Sequence, residues 1–151
     1  MNLYAESSAV LSWLLAEPSA GTVGEILDGA EMVMASELTL IECDRTLLRV
    51  RAAGQLSDFE TARRRNLLEA VSSHWNLLPL AREIVERARR PLPGEPLRTL
   101  DALHIASALA ARSAVPGLAL LSLDLRVRGS ASELGFRTLP AFNEKERFHP
   151  S

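Results

Sequence analysis

Five short candidate strands, three of them apolar runs, separated by longer stretches with helical spacing, limit the fold of this chain more than any other feature. They are Leu3-Tyr4-Ala5, Met32-Val33-Met34-Ala35, Trp75 to Leu78, Leu118 to Leu121 and Phe136 to Leu139. The run Leu118 to Leu121 is apolar throughout, as a strand covered on both faces requires. Between them the spacing predicts helices over Ala9–Ala16 (capped by Ser7 or Ser8 and stopped at Pro18), about Ala20–Leu27, and from Ser36 to Gly54. Further helices are expected from Ser57 to about Ser73, over Leu80–Arg90 and Leu100–Arg112, and from Asp124 to Leu134-Gly135. Strands alternating with helices give an α/β domain: a mostly parallel five-stranded sheet with helices on both faces, a three-layer sandwich. Pro91, Pro93, Gly94 and Pro96 read as a surface connection within it.

A length of 151 residues fits one domain, expected over residues 1–142 with a C-terminal tail over 143–151. No apolar run approaches the roughly 20 residues that cross a bilayer, and Met1-Asn2-Leu3-Tyr4 carries no positive side chain of a leader, so a cytoplasmic location with no membrane partner is expected. Cys43 is the only cysteine, which excludes an intramolecular disulfide and a thiolate zinc cage. The net charge of −2 supplies no bulk field for nucleic acid, so any such binding is local. Of the 17 basic residues only Lys145 is lysine. Arginine suits bidentate phosphate contacts, and a GC-rich coding bias accounts for the excess equally well.

In a parallel α/β sheet, ligands bind beyond the carboxyl ends of the strands, near the point where strand order reverses. Glu6 and Asp124 fall just past two such ends. Asp101 opens the helix after the Pro-rich loop, and Glu42 lies inside a helix otherwise patterned for burial. Four carboxylates at one edge repel one another unless a cation neutralises them. An all-oxygen set selects a hard cation such as Mg²⁺ or Mn²⁺. Each residue also has a reading without chemistry: Asp101 and Asp124 are ordinary helix-start residues, Glu6 can cap the first helix, and Glu42 can pair with Arg45 one turn on.

The combination resembles a known family. Leu3-Tyr4-Ala5-Glu6-Ser7-Ser8-Ala9-Val10, Ser36-Glu37-Leu38-Thr39-Leu40-Ile41-Glu42, Leu97 to Ala106 with its Asp101-Ala102-Leu103-His104 core, and Leu121-Ser122-Leu123-Asp124 are similar to the four acidic blocks of PIN domains, in that family's order. The Asp-Ala-Leu-His block resembles the VapC toxins of type II toxin–antitoxin pairs. The resemblance implies a metal-dependent endoribonuclease that leaves a 5′-phosphate and a 3′-hydroxyl, usually a homodimer and silenced by a VapB-like antitoxin. On that reading Glu6, Glu42, Asp101 and Asp124 hold Mg²⁺ or Mn²⁺, and a metal-bound hydroxide attacks the RNA phosphodiester. The first block departs from the family: Glu6 stands where aspartate is usual, keeping the charge but reaching one methylene further.

Around these carboxylates, Ser7 and Ser122 are candidates to orient a ligand or a metal-bound water, or simply to form caps and turns. Arg45, Arg98, Arg126 and Arg128 are candidate contacts for RNA phosphates. His104 reads as a packed helix residue rather than a ligand. Arg63-Arg64-Arg65 reads as a solvated helix face, and Trp13, Leu14 and Leu15 as core rather than as a groove for a partner. Two other functions compete with the nuclease. One is a PIN-fold RNA- or protein-binding module with weakened metal capture. The other is a phosphoacceptor of the response-regulator kind, which needs an aspartate after the third strand where this chain has Leu78-Pro79.

Overall fold

The strands are β1 (Asn2–Ala5), β2 (Met32–Ser36), β3 (Asn76–Leu78), β4 (Ala119–Leu121) and β5 (Thr138–Leu139). They form one sheet in the order β3-β2-β1-β4-β5, parallel at every pairing. The computed structural model describes residues 1–142; the tail expected over 143–151 lies outside the described residues. Seven helices complete this part: α1 (Ser7–Leu14), α2 (Ala20–Asp28), α3 (Glu37–Ala52), α4 (Asp58–Ser72), α5 (Arg82–Ala88), α6 (Thr99–Ala114) and α7 (Leu125–Glu133).

Side chains alternate across a strand, and β1 shows what that does at the centre of a sheet. Leu3 and Ala5 turn to one core, built with Val10, Leu14, Val23, Cys43, Leu47 and Leu68 from α1 to α4. Tyr4 turns to the other, with Ile105, Ala108 and Val127 from α6 and α7. The expected three layers are therefore present, and β1 is apolar from Leu3 to Ala5 because helices cover both of its faces. Leu14 is buried in the first core with Trp13 and Leu15 packed against it, as their reading as core residues required. No helix of the described residues is long and apolar enough to cross a membrane.

Local chemistry sets the helix ends. Ser36 caps α3 by accepting from the Leu38 N–H at 3.1 Å, and Ser57 caps α4 by accepting from the Glu60 N–H at 3.1 Å. Glu37 in the first turn of α3 and Arg49 and Arg51 in its last turn complement the helix dipole. The chain then leaves α3 through Gly54, at a φ of +75° that favours glycine.

The differences from expectation lie at boundaries. Helix α1 starts two residues early, directly off β1: Glu6 occupies its N-cap position in extended backbone, and the Glu6 carbonyl accepts from Ala9 and Val10. Helix α5 starts at Arg82 rather than Leu80, because Pro79 first turns the chain, its carbonyl accepting from Ala81 at 2.8 Å. Strand β5 keeps only Thr138 and Leu139, while Phe136 packs into the second core under the guanidinium of Arg112, 4.1 Å from the ring centroid. Arg63 and Arg65 are solvated as expected, but Arg64 reaches back to donate to the Leu14 carbonyl at 2.6 Å, tying α4 to the end of α1.

Candidate functional site

Strand order reverses at β1, which sends the chain to β2 on one side and receives β4 on the other. The crevice beyond the carboxyl ends of β1 and β4 is where this topology leaves room for a ligand. A cleft of about 420 Å³ opens there, and all four carboxylates singled out from the sequence line it, together with Ser7 and Arg98.

Glu6 follows directly on β1. Its backbone N–H continues the ladder to the Leu121 carbonyl at 2.9 Å. Its side chain makes no cap hydrogen bond to α1. Instead Oε2 accepts from the hydroxyls of Ser122, at 2.7 Å, and of Ser8. Ser8 Oγ is itself fixed by the N–H groups of Leu123 at 2.9 Å and Asp124 at 3.1 Å. The extra methylene of Glu6 is thus taken up by folding the carboxylate back between two serines, leaving it only 5% exposed.

Glu42 projects from α3 toward α6. Its Oε1 accepts from Ser7 Oγ at 2.8 Å and from His104 Nε2 at 2.6 Å. Burial pushes the Glu42 carboxyl up, but the interaction with His104 and the hydrogen bond of Ser7 outweigh it and hold the group below the usual carboxylate range. Arg45, the partner expected from sequence, is exposed on α3, and no ion pair among the described residues joins it to Glu42. Burial decides this, because a partly buried carboxylate is satisfied by the donors inside with it.

Asp101 and Asp124 open helices as expected. Asp101 Oδ2 accepts from the Arg98 N–H at 3.4 Å and lies 3.6 Å from the Arg98 guanidinium. Asp124 Oδ1 accepts from the N–H groups of Arg126 at 2.9 Å and Val127 at 3.1 Å, capping α7. All four carboxylates therefore divide their oxygens in the same way. One oxygen is committed to the fold, and the other (Oε1 of Glu6, Oε2 of Glu42, Oδ1 of Asp101, Oδ2 of Asp124) accepts from no described residue and is not sealed from solvent. That donor set suits a hard cation.

Among the described residues, no group of three or more His, Cys, Asp or Glu side chains is placed to hold a metal ion. Serine, histidine, arginine and helix-cap donors hold the four carboxylates at separate places around the cleft.

The family model for the PIN domain matches residues 3–129. The chain belongs to the PIN domain family. It is 30% identical over 137 residues to ribonuclease VapC46 of Mycobacterium tuberculosis, covering 91% of this chain and 95% of that protein. It is 27% identical over 139 residues to ribonuclease VapC49 of the same organism, covering 92% and 95%. PAE2754 from Pyrobaculum aerophilum has a TM-score of 0.62 at 19% identity over 92% of each chain. The sarcin–ricin-loop-cleaving toxin VapC20 of Mycobacterium tuberculosis has a TM-score of 0.61 at 15% identity, over 89% of this chain and 95% of that one. At those identities the structural likeness is one of fold.

Within this PIN domain the remaining candidates separate. Ser7 and Ser122 both touch acidic side chains, as hydroxyl donors to Glu42 and Glu6. Arg98 is on the cleft wall, and Arg126 is exposed two residues from Asp124. Arg128 is a correction: it points inward, only 8% exposed, and donates to the carbonyls of Ser122 at 2.8 Å and Pro140 at 2.7 Å. That geometry uses the guanidinium to tie β4 to the chain after β5, so no phosphate reaches it.

Ser8, expected as a cap, and His104, expected as packing, both also grip carboxylates; neither contact leaves a local trace, since Ser8 holds the side chain of Glu6 only beside Ser122 and His104 reaches Glu42 across 62 positions. Cys43, beside Glu42 in α3, is inert: burial pushes its thiol up to about 12, helped by the nearby charges of Glu42, Asp44 and Glu6. Folded protein at pH 8 should therefore show no reaction with a thiol reagent over minutes, and one thiol per chain after denaturation. Rapid labelling of the native protein would contradict this burial.

Proposed function

We propose that this PIN domain is a divalent-metal-dependent endoribonuclease, the toxin of a type II toxin–antitoxin pair. The observation that carries the reading is the shared cleft at the β1–β4 seam, lined by four carboxylates that each keep one oxygen accepting from no described residue. Glu6, Glu42, Asp101 and Asp124 would hold Mg²⁺ or Mn²⁺. Such a cation supplies Lewis-acid chemistry, activating water and offsetting charge on the leaving oxygen. The chain's own residues do the rest. Ser8 and Ser122 hold Glu6, Ser7 and His104 hold Glu42, and the Asp124 cap places the start of α7 beside the cleft. Arg98 on its wall, with Arg126 and Arg45 exposed at neighbouring positions, meets RNA phosphates.

The ribonuclease names of VapC46 and VapC49 support RNA as the substrate. Structural likeness to the VapBC2 complex of Rickettsia felis, with a TM-score of 0.61, supports a VapB-like antitoxin as partner. A homodimer, a cytoplasmic location and a catalytic unit ending at residue 142 complete the proposal. One observation favours a second reading, that of a binding module with weak metal capture: the carboxylates are spread around the cleft rather than gathered.

The test is metal removal. Protein stripped with EDTA should leave mixed cellular RNA intact, and either Mg²⁺ or Mn²⁺ should restore cuts ending in 5′-phosphates. Cleavage undiminished in EDTA overturns the metal reading. RNA bound but uncut in both metals moves the binding module to first place.

A further inference from the structure

His104 is 1% exposed, yet both of its ring nitrogens are engaged. Nδ1 lies 3.0 Å from the hydroxyl of Tyr4, which is wholly buried on the sheet face that α6 covers. Nε2 lies 2.6 Å from Glu42 Oε1 and 2.9 Å from Ser7 Oγ. The direction of each bond follows from the chemistry of its ends. An ionised carboxylate only accepts, so Nε2 carries a proton. In a neutral ring a proton on Nε2 leaves Nδ1 bare, so the Tyr4 hydroxyl 3.0 Å away donates to it. The result is a chain of donors that starts inside the sheet and ends on a cleft carboxylate: Tyr4 O–H to His104 Nδ1, and His104 Nε2–H to Glu42 Oε1.

Packing alone does not account for this arrangement. A buried histidine needs partners for its nitrogens, but neutral hydroxyls or carbonyls satisfy them without involving a carboxylate that lines a cleft. Here two of the elements that carry the carboxylates, α3 with Glu42 and α6 with Asp101, are joined through His104, three residues after Asp101. The joint sets which oxygen of Glu42 is held and which is free.

We propose that His104 and Tyr4 are positioning residues: Tyr4 sets the tautomer of His104, and His104 holds Glu42 Oε1 so that Oε2 is presented to a cation in the cleft. The inference rests on the metal-site reading above and deepens it. Partners that orient a metal ligand are typically worth about 10- to 100-fold in metal affinity.

The experiment measures Mn²⁺ affinity by calorimetry on the full chain, with thermal melts alongside, for wild type, Asp101→Asn, Glu42→Gln, His104→Phe, His104→Gln and Tyr4→Phe. A ¹⁵N NMR spectrum of the His104 ring is recorded for wild type and Tyr4→Phe. In wild type the ring should show a protonated Nε2 and a bare, hydrogen-bonded Nδ1. Tyr4→Phe should shift the Nδ1 resonance and weaken Mn²⁺ binding severalfold. His104→Phe removes the donor and should weaken it by about tenfold or more, whereas His104→Gln keeps an N–H and should bind Mn²⁺ more tightly than His104→Phe even where both melt lower than wild type.

Equal Mn²⁺ affinity in wild type, His104→Phe and Tyr4→Phe, with Asp101→Asn and Glu42→Gln both impaired, overturns the positioning role and leaves the metal site standing. Unchanged affinity in Asp101→Asn and Glu42→Gln overturns the metal site and the positioning role with it. Should His104→Phe fail to fold, Tyr4→Phe decides alone, since it removes one oxygen and keeps the ring. A protonated Nδ1 in the wild-type spectrum overturns the assigned donor direction and the proposal with it.

Discussion

RNA cleavage by the Asp101→Asn protein is expected to fall by on the order of a hundredfold or more. The substitution keeps the size and the Oδ acceptor that meets the Arg98 N–H, and removes the negative charge at the cleft. Two effects on the fold oppose each other. Asp101 stands in the first turn of α6, where a carboxylate is stabilised by roughly 0.3–1 kcal/mol at the positive end of the helix dipole. Against that, three other carboxylates line the same cleft, and neutralising one relieves their repulsion. The melting temperature should therefore stay within a few degrees of wild type or rise. Loss of activity with an unchanged melt assigns Asp101 to the chemistry. Cleavage at the wild-type rate by a folded Asp101→Asn protein removes it from the site, and the proposed arrangement with it.

The largest stability effect is expected far from any helix face that meets solvent. Arg128→Leu deletes two charge-assisted hydrogen bonds, to the Ser122 and Pro140 carbonyls, and the stacking of the guanidinium 3.9 Å over the Phe142 ring. Bonds from a charged donor contribute about 1.5–3 kcal/mol each, so a net loss of about 3 kcal/mol is a reasonable magnitude after leucine packing offsets part of it. For a chain of this size that corresponds to roughly 6–12 °C in melting temperature. RNA affinity at low temperature, where the variant is folded, should be close to wild type. A variant that melts normally but binds RNA poorly would restore the phosphate-contact role that the position of Arg128 beside an acidic block first implied.

What could be read from residues alone follows the range of the interactions involved. Capping is local, so Ser36, Ser57 and Asp124 announced helices α3, α4 and α7 where the structure has them. Burial on both faces leaves a compositional trace, so β1 and β4 were visible as apolar runs. The start of α1 was not, because Glu6 holds the N-cap position with its backbone while its side chain is engaged elsewhere.

The four carboxylates were visible because each sits at a strand end, a helix start or a buried helix position. Their donors were not. Arg45 looked like the partner of Glu42 because it is one turn away, whereas the real one, His104, is 62 positions distant and reaches Glu42 through the packing of α6 beside α3. Ser122 and Glu6, 116 positions apart, are likewise neighbours only because β4 pairs with β1.

The place of β1 has a further consequence. Sheets fray from their edges, and here the edges are the exposed three-residue β3 and the two-residue β5. β1 lies innermost, paired along both sides and covered on both faces. Its amides should be among the last to exchange with deuterated water, opening only with the whole molecule. Glu6, Ser7 and Ser8 follow that strand directly, with Tyr4 inside it. The cleft is therefore mounted on the slowest-opening part of the chain, and partial unfolding at the rim leaves it assembled.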